Sequence, residues 1–262
     1  MSGNQSWHHH FAPFTLTHLF VVLAFALLVI SIVSLRRCDD VATIGPRRRA
    51  CDKTFGWFAL AAACFVQIST LWPSRFEYDT ALPLHICDLM MFIAPAALLL
   101  RWRWARAMTY FWGLGLSSLS FVYPDLHFGP ADFQFWVFWA GHAAIIGPAI
   151  YDISARGFRP HWGDWLFAVK FSVAYVAILF PIDAILHLNY GYIGKSYKGP
   201  RSPIDSLGPW PWRVPLMFLM AMVIMFLLAL PWMIRRKKFT QGLPAAINPI
   251  ADSQSDHTAL VP

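Results

Sequence analysis

His85, Cys87 and Asp88 put an imidazole, a thiol and a carboxylate within one helical turn of the stretch Ala81-Leu82-Pro83-Leu84-His85-Ile86-Cys87-Asp88-Leu89. The segment then stays apolar to Leu100. Ionisable groups are costly in hydrocarbon; those found there usually face a bundle interior and carry function. A thiolate beside a base attacks an acyl carbonyl, holds the acyl group as a thioester and passes it on. The competing role for cysteine is packing as a small hydrophobe. Cys64, alone in its apolar run, fits packing, whereas both roles stay open for Cys87 between His85 and Asp88.

A base for Cys87 has to come from somewhere. In a helix His85 and Cys87 stand about 200° apart, while His85 and Asp88, at i and i+3, share a face. Unless Pro83 keeps this opening turn irregular, the base comes from another span, and His142 in Phe138-Trp139-Ala140-Gly141-His142 is the best candidate. At 1.5 Å per residue it lies about 13 Å below the outer end of its span and Cys87 about 7 Å below its own. The gap of about 6 Å is within helix tilt and boundary error. A hydrogen-bonded packing histidine is the alternative for His142.

Asp183 and His187, at i and i+4, project from one helix face and could orient a base or ligate a metal. With His85, His142 and Asp88 they supply the ligand types of zinc, although no HExxH spacing occurs. That leaves a zinc-dependent intramembrane lipid hydrolase using His85, His142, His187 and Asp183 as the second reading. A transporter or small-ligand binder with a proton-relaying Asp–His cluster is the third. The lack of an inverted repeat, and of polar residues continuing into the inner half, counts against it. Asn189-Tyr190-Gly191-Tyr192 and Leu207-Gly208-Pro209-Trp210-Pro211-Trp212 form an ordered outer loop. Tyr190, Trp210 and Trp212 would serve there as a lid, as a lipid-headgroup edge or simply as interfacial anchors.

The elements that must position these groups are apolar helices. The chain is 57% hydrophobic and 13% charged, with a positive mean hydropathy, far from the soluble average of about 25% charged. This composition means an integral membrane protein. Seven stretches are long enough to span a bilayer: 14–35, 55–72, 82–100, 104–123, 133–151, 163–188 and 214–234. The first 236 residues form one domain without internal repeats; residues 237–262, polar with Pro and Gly, form a disordered tail. No removable signal peptide is visible, and His8-His9-His10 reads as native. The four cysteines, Cys38, Cys51, Cys64 and Cys87, have no CxxC spacing and no disulfide framework.

The net charge of +7 comes from basic residues in loops, the positive-inside pattern rather than a nucleic-acid surface. Arg36, Arg37, Arg47, Arg48, Arg49, Lys53, Arg101, Arg103, Arg106, Arg156, Arg159 and Arg235 to Lys238 fall on one side. The other side has Arg75, Lys195, Lys198, Arg201 and Arg213. The richer side is cytoplasmic, so the N-terminus is outside and the C-terminus inside. Trp72, Trp210 and Trp212 fit the outer aromatic belt, and Trp102, Trp104 and Trp162 the inner one. His18, Gln67, Ser69, Thr70, His85, Cys87, Asp88, Ser117, Ser118, Ser120, Asp183, His187 and Asn189 then lie in the outer half, with His142 nearer the middle. In the inner half Lys170 stands out, and it can snorkel. One extracytoplasmic site is the expectation.

Leu-Pro-Leu-His-Ile-Cys-Asp (82–88), His142 with Pro148 six residues on, Asn189-Tyr190, and Leu-Gly-Pro-Trp-Pro-Trp (207–212) together resemble the YwaF-like bacterial integral membrane family. That family is similar to animal transmembrane protein 164, and the resemblance spans roughly residues 10–235. It implies a phospholipid acyltransferase with a cysteine nucleophile, of the kind that remodels ether phosphatidylethanolamine. By motif, Cys87 matches the nucleophile and His142 the mid-span histidine. Two departures stand out. The animal protein has its histidine after the cysteine, whereas His85 precedes it, which leaves the role of His85 open. Arg213 stands where bacterial members usually have Tyr, a change expected to alter only the headgroup edge.

More distant membrane hydrolases with a threonine and a histidine make hydrolysis a neighbouring chemistry. The Ser-x-x-x-His pattern of alkaline-ceramidase-type hydrolases is missing, since Phe14 precedes His18 at that spacing. The expected protein is an all-α, polytopic seven-transmembrane bundle in a bacterial inner membrane. Its catalytic residues are Cys87, His142 and His85, supported by Asp88, Asp183, His187 and Asn189. It transfers an acyl chain from a phospholipid donor to a lyso-lipid acceptor and uses no cofactor.

Overall fold

The computed structural model describes residues 8–37, 46–73, 76–78, 81–195 and 203–241. Cys38, Arg75, Lys198, Arg201 and the tail beyond 241 lie outside the described residues, as do the side chains of Cys51, Arg36, Arg37, Arg47, Arg48 and Arg235 to Lys238. In hydrocarbon every backbone N–H and C=O has to be satisfied within its own segment, so long apolar runs fold as helices. The helices are α1 (Leu16–Arg37), α2 (Pro46–Thr70), α3 (Ile86–Leu99), α4 (Arg103–Met108), α5 (Leu119–Val122), α6 (Phe133–Ser154), α7 (Trp162–Leu186) and α8 (Arg213–Gln241). Among the described residues, four helices are long and apolar enough to cross a membrane: Leu16–Ser34, Phe133–Ser154, Trp162–Leu186 and Arg213–Ile234. The chain is an all-α, polytopic membrane protein.

Two elements depart from the regular spans expected. α3 begins at Ile86 rather than Leu82: the Pro83 ring disfavours helical backbone at Leu82, and residues 81–85 form bends and a turn closed by the Leu84 N–H on the Leu82 carbonyl at 2.8 Å. α4 runs into a π-helical segment, Thr109–Leu116, and resumes as α5, so the stretch expected as the fourth span is a broken helix. The π segment is closed by the Ser117 N–H on the Trp112 carbonyl, 2.8 Å away and five residues back. Each such turn holds one residue more than an α-turn and rotates the residues beyond it by about 100°.

The broken helix packs against α3, α6 and α8 and forms the centre of the core. Phe111, Trp112, Met90, Met108, Ile145 and Met225 are essentially inaccessible there. Glycines bring the backbones together: a Cβ on Gly113 would stand 3.1 Å from Ile145, and one on Gly115 3.0 Å from Leu228. Trp112 Nε1 donates to Ser172 Oγ at 2.9 Å, and the Tyr110 hydroxyl to the Leu228 carbonyl at 2.8 Å. Interhelical bonds of this kind contribute about 0.6 kcal/mol each in a membrane. Their larger effect is to fix the rotation of the π segment against α7 and α8.

Two polar ends flank this apolar middle. At one end, the loops joining α3 to α4 and α6 to α7 meet the start of α2. Arg106 grips Asp152 with two hydrogen bonds (2.7 and 3.0 Å), and Arg103 grips Asp164 in the same way (2.9 and 2.7 Å). Arg156 stands 3.5 Å from Asp152 and 3.8 Å from Asp52, which also accepts from the Tyr151 hydroxyl at 2.8 Å. Asp52, Asp152 and Asp164 are all buried. Ionisable groups are therefore not confined to one end of the bundle, as the sequence suggested. The acidic partners sit beside loops, where their charges read as solvated. Burial pulls the Arg156 guanidinium below the usual arginine range, with Asp152 and Asp52 opposing that shift. Lys170 is exposed on α7, as a snorkelling side chain would be.

Candidate functional site

The other end is built around the first turn of α3. Tyr175 of α7 donates to the Leu84 carbonyl at 2.7 Å, and the Leu82 N–H donates to the Tyr190 hydroxyl at 3.2 Å. The Tyr190 hydroxyl in turn donates to the Tyr78 carbonyl. Residues 81–84 turn into His85, the N-cap of α3 (φ −66°, ψ 150°), with the Leu84 N–H on the Leu82 carbonyl at 2.8 Å and the two tyrosines on the Leu82 N–H and the Leu84 carbonyl. This holds the turn carrying Cys87 in a fixed place.

Cys87 is the second residue of α3 and is half-buried. Its thiol donates to Ser117 Oγ at 3.6 Å, and the Ser120 hydroxyl is within hydrogen-bond reach as well. Both serines lie just past the π segment, three residues apart and so on one face. Asp88 is near enough to His85 and His142 to interact electrostatically with both, and its carboxylate accepts from the His85 backbone N–H.

His142 is buried in α6, its ring 4.3 Å from that of Phe138. Met91 lies against Gly141, with Sδ-to-Cβ and methyl-to-Cβ separations of 3.7 and 3.6 Å for an added Cβ. That contact sets the register of α3 on α6 and leaves Cys87 and His142 about five residues, or roughly 7 Å, apart in height. The hydrogen-bond partner of the Cys87 thiol is accordingly a serine, and the charge nearest His142 is Asp88.

The two imidazoles carry their protons differently. His142 Nδ1 is 2.7 Å from the Phe138 carbonyl, an acceptor only, so Nδ1 bears the proton and Nε2 is bare. His85 Nδ1 is 3.2 Å from the Gly191 N–H, a donor only, so Nδ1 is bare and the neutral ring carries its proton on Nε2. One ring can take a proton through Nε2; the other can give a hydrogen bond through the same atom.

A strap formed by residues 189–195 covers this end. It is pinned by Gly191 on His85, Trp210 Nε1 on the Ile193 carbonyl (3.1 Å), Arg213 Nη2 on the Gly194 carbonyl (2.5 Å) and the Tyr192 hydroxyl on Asp125 (3.0 Å). Burial first, then the Asp125 carboxylate, pushes the Tyr192 phenol well above its ordinary range, so it remains a donor. Gly191 is in the left-handed region (φ +60°), and a Cβ there would run into the Tyr175 hydroxyl. Gly191→Ala is therefore expected to cost about 1–2 kcal/mol in backbone conformation. It also displaces the tyrosine that holds Leu84. The check is the thermal midpoint in detergent together with turnover; no drop in either would refute the pinning role.

The remaining expected residues are placed less uniformly. Asp183 is buried, but α7 ends at Leu186 and His187 is an exposed cap residue in the left-handed region. The regular i, i+4 face expected for the pair thus stops short of His187. Among the described residues no three His, Cys, Asp or Glu stand close enough to hold a metal ion, so the set His85, His142, His187 and Asp183 does not form a ligand cage. Asn189 is half-buried, and its side-chain oxygen has no hydrogen-bond partner among the described residues.

The headgroup edge also differs from expectation. Tyr190 is fully buried beneath the strap, whereas Trp212 is 74% exposed. Trp210 is half-buried and stacks on Phe180 at 5.9 Å. Arg213, expected at that edge, is buried and ion-paired with Asp205. Ser117, Ser120, Tyr175, Tyr192 and Asp125 were not assigned to the site from sequence. The run Ser117-Ser118-Leu119-Ser120, polar at the close of an apolar span, was the available signal.

The family model described as the TMEM164 family matches residues 6–230. No curated protein and no solved structure matches the chain.

Proposed function

Because the chain belongs to the TMEM164 family, we propose that it is a membrane lipid acyltransferase that carries its acyl group on Cys87. The observation that carries the reading is the grouping around the first turn of α3. The Cys87 thiol has hydroxyl partners, and its chain neighbour Asp88 lies near two imidazoles, one with a bare Nε2 and the other with a protonated Nε2. A helix N-terminus also stabilises negative charge on a residue in its first turn.

In this scheme the Cys87 proton passes to His142 Nε2, through a bridging water across the difference in height. The thiolate attacks the ester carbonyl of a phospholipid, and the oxyanion takes the His85 Nε2–H bond. The carbon–oxygen bond breaks, the lyso-lipid alkoxide recovers the proton from His142, and a thioester remains on Cys87. A lyso-lipid hydroxyl, deprotonated by His142, then attacks the thioester and releases the thiolate. No cofactor is needed. The chain would cross the membrane seven times, N-terminus outside, as a multi-pass protein of a bacterial plasma membrane. The site would then face the extracytoplasmic leaflet, where a phospholipid is a better donor than cytoplasmic acyl-CoA. The apolar middle of Met90, Met108, Phe111, Trp112 and Ile145 separates the two polar ends, which favours an enzyme over a transporter.

The test is acyl exchange between a labelled phospholipid and a lyso-lipid in proteoliposomes of purified protein. His142→Gln removes the bare Nε2 and is expected to lower the rate by about 10²–10⁴-fold, the usual contribution of a general base. A rate unchanged in His142→Gln would overturn the assignment of the base. No exchange with the unsubstituted protein, over a panel of donors and acceptors, would overturn the function itself.

A further inference from the structure

We propose that Ser117 is a positioning residue for Cys87: its hydroxyl accepts the thiol hydrogen bond at rest and turns to donate to the sulfur once the proton has left. The inference rests on the acyl-transfer reading for its purpose, but not for its test. Three observations carry it. Ser117 Oγ is the hydrogen-bond acceptor of the Cys87 thiol, at 3.6 Å. Ser117 is 1% exposed, so water does not compete for that hydroxyl. Its backbone is held by the 2.8 Å bond to the Trp112 carbonyl that closes the π segment, and Trp112 is itself anchored on Ser172.

The π segment is what aims it. With regular α spacing the Ser117 N–H would bond Gly113 rather than Trp112, and the residues beyond would be turned by about 100°. Gly113 packs against Ile145 with no room to spare, so the segment cannot relax without separating the broken helix from α6. A hydroxyl is a rotor with one proton and two acceptor sites, so a single serine can serve both charge states of the sulfur. It first orients S–H and so selects the sulfur lone pair that will face the ester. After the proton has passed to the base, the Ser117 O–H points at the thiolate while the carbon–sulfur bond forms and the ester carbon–oxygen bond breaks. Ser117 keeps its own proton throughout.

The experiment measures N-ethylmaleimide labelling of Cys87 against pH, in protein whose Cys38, Cys51 and Cys64 are replaced by Ser. The parent is compared with Ser117→Ala and Ser117→Thr. Loss of one hydrogen bond to a charged acceptor, about 1.5 kcal/mol, corresponds to roughly one pH unit. The labelling midpoint is expected to rise by about one unit in Ser117→Ala and to return close to the parent value in Ser117→Thr. A purely structural serine would change thermal stability and leave the midpoint alone.

A Ser117→Ala profile that superimposes on the parent, or a Thr variant shifted as far as Ala, overturns the proposal. The acyl mass on Cys87, measured on the same preparations, keeps the two readings apart. Superimposed profiles with normal acylation reject the serine role and leave the transferase. A shifted profile with no acyl mass in any protein upholds the serine role and rejects the transferase.

Discussion

Purified protein incubated with mixed phospholipids is expected to gain the mass of one fatty acyl chain, to lose it in neutral hydroxylamine, and never to gain it as Cys87→Ala. Hydroxylamine at neutral pH cleaves a thioester and spares an oxygen ester, so the reagent identifies sulfur as the attachment atom. Intact-mass spectrometry reads both steps, and the added mass names the chain. Cys64 is the internal control, since it is a free cysteine exposed on the bundle surface. An adduct that persists in Cys87→Ala would be adventitious acylation of a lipid-facing thiol. An adduct stable to hydroxylamine would point to an oxygen nucleophile, with Ser117 and Ser120 the nearest hydroxyls to Cys87. Cys87→Ser separates nucleophilicity from hydrogen bonding, since it keeps a donor to Ser117 but is expected to abolish measurable turnover. If Cys87→Ala retains full exchange activity, the covalent route is wrong.

The position of Cys87 in the chain was legible; its surroundings were not. Apolar runs impose helices because a bilayer leaves the backbone no other partner, so the helical stretches could be read directly. The motif 82–88 stands out because ionisable side chains are rare in such runs. Distances between spans depend on where each helix starts, and here local chemistry intervened. Pro83 delays α3 to Ile86, and the π segment rotates Ser117 and Ser120 by an amount that periodicity alone does not reveal. The proton positions on His85 and His142 depend on one backbone partner each, Gly191 from a distant strap and Phe138 from the same helix. Residue type misled in two places. Tyr190 and Arg213 read as headgroup residues because they flank an interfacial loop, but their polar atoms reach backbone carbonyls under it and so can be buried. The cluster of Asp52, Asp152 and Asp164 was missed because an acidic residue beside a basic loop has the composition of a solvated surface whether or not it is buried.

That cluster leads to the largest expected effect on stability. Asp152 takes both hydrogen bonds from Arg106 and stands 3.5 Å from Arg156, whose side chain is only 5% exposed. Asp152→Ala leaves Arg106 without its carboxylate partner and Arg156 with Asp52 alone, which Arg101 also approaches to 3.6 Å. Removing one partner of a buried ion pair costs about 3–5 kcal/mol, because the remaining charge has lost its water without keeping its counter-ion. Arg156 cannot escape by titrating, since even after the downward pull of burial a guanidinium keeps its proton at neutral pH. Thermal unfolding in detergent should therefore show a drop of many degrees for Asp152→Ala. The double variant Asp152→Leu with Arg106→Leu should recover much of it, because an apolar pair of similar volume carries no desolvation cost. If Asp152→Ala unfolds within a degree or two of the parent, the pair is solvated and the cluster does not lock this end. If the single variant is destabilised and the double is not rescued, the contribution lies in hydrogen-bond geometry rather than charge balance. Either way, the Cys87 labelling profile measured below the unfolding temperature should stay that of the parent. The apolar core stands between the two ends, and nothing in the geometry carries the ionic rearrangement across it.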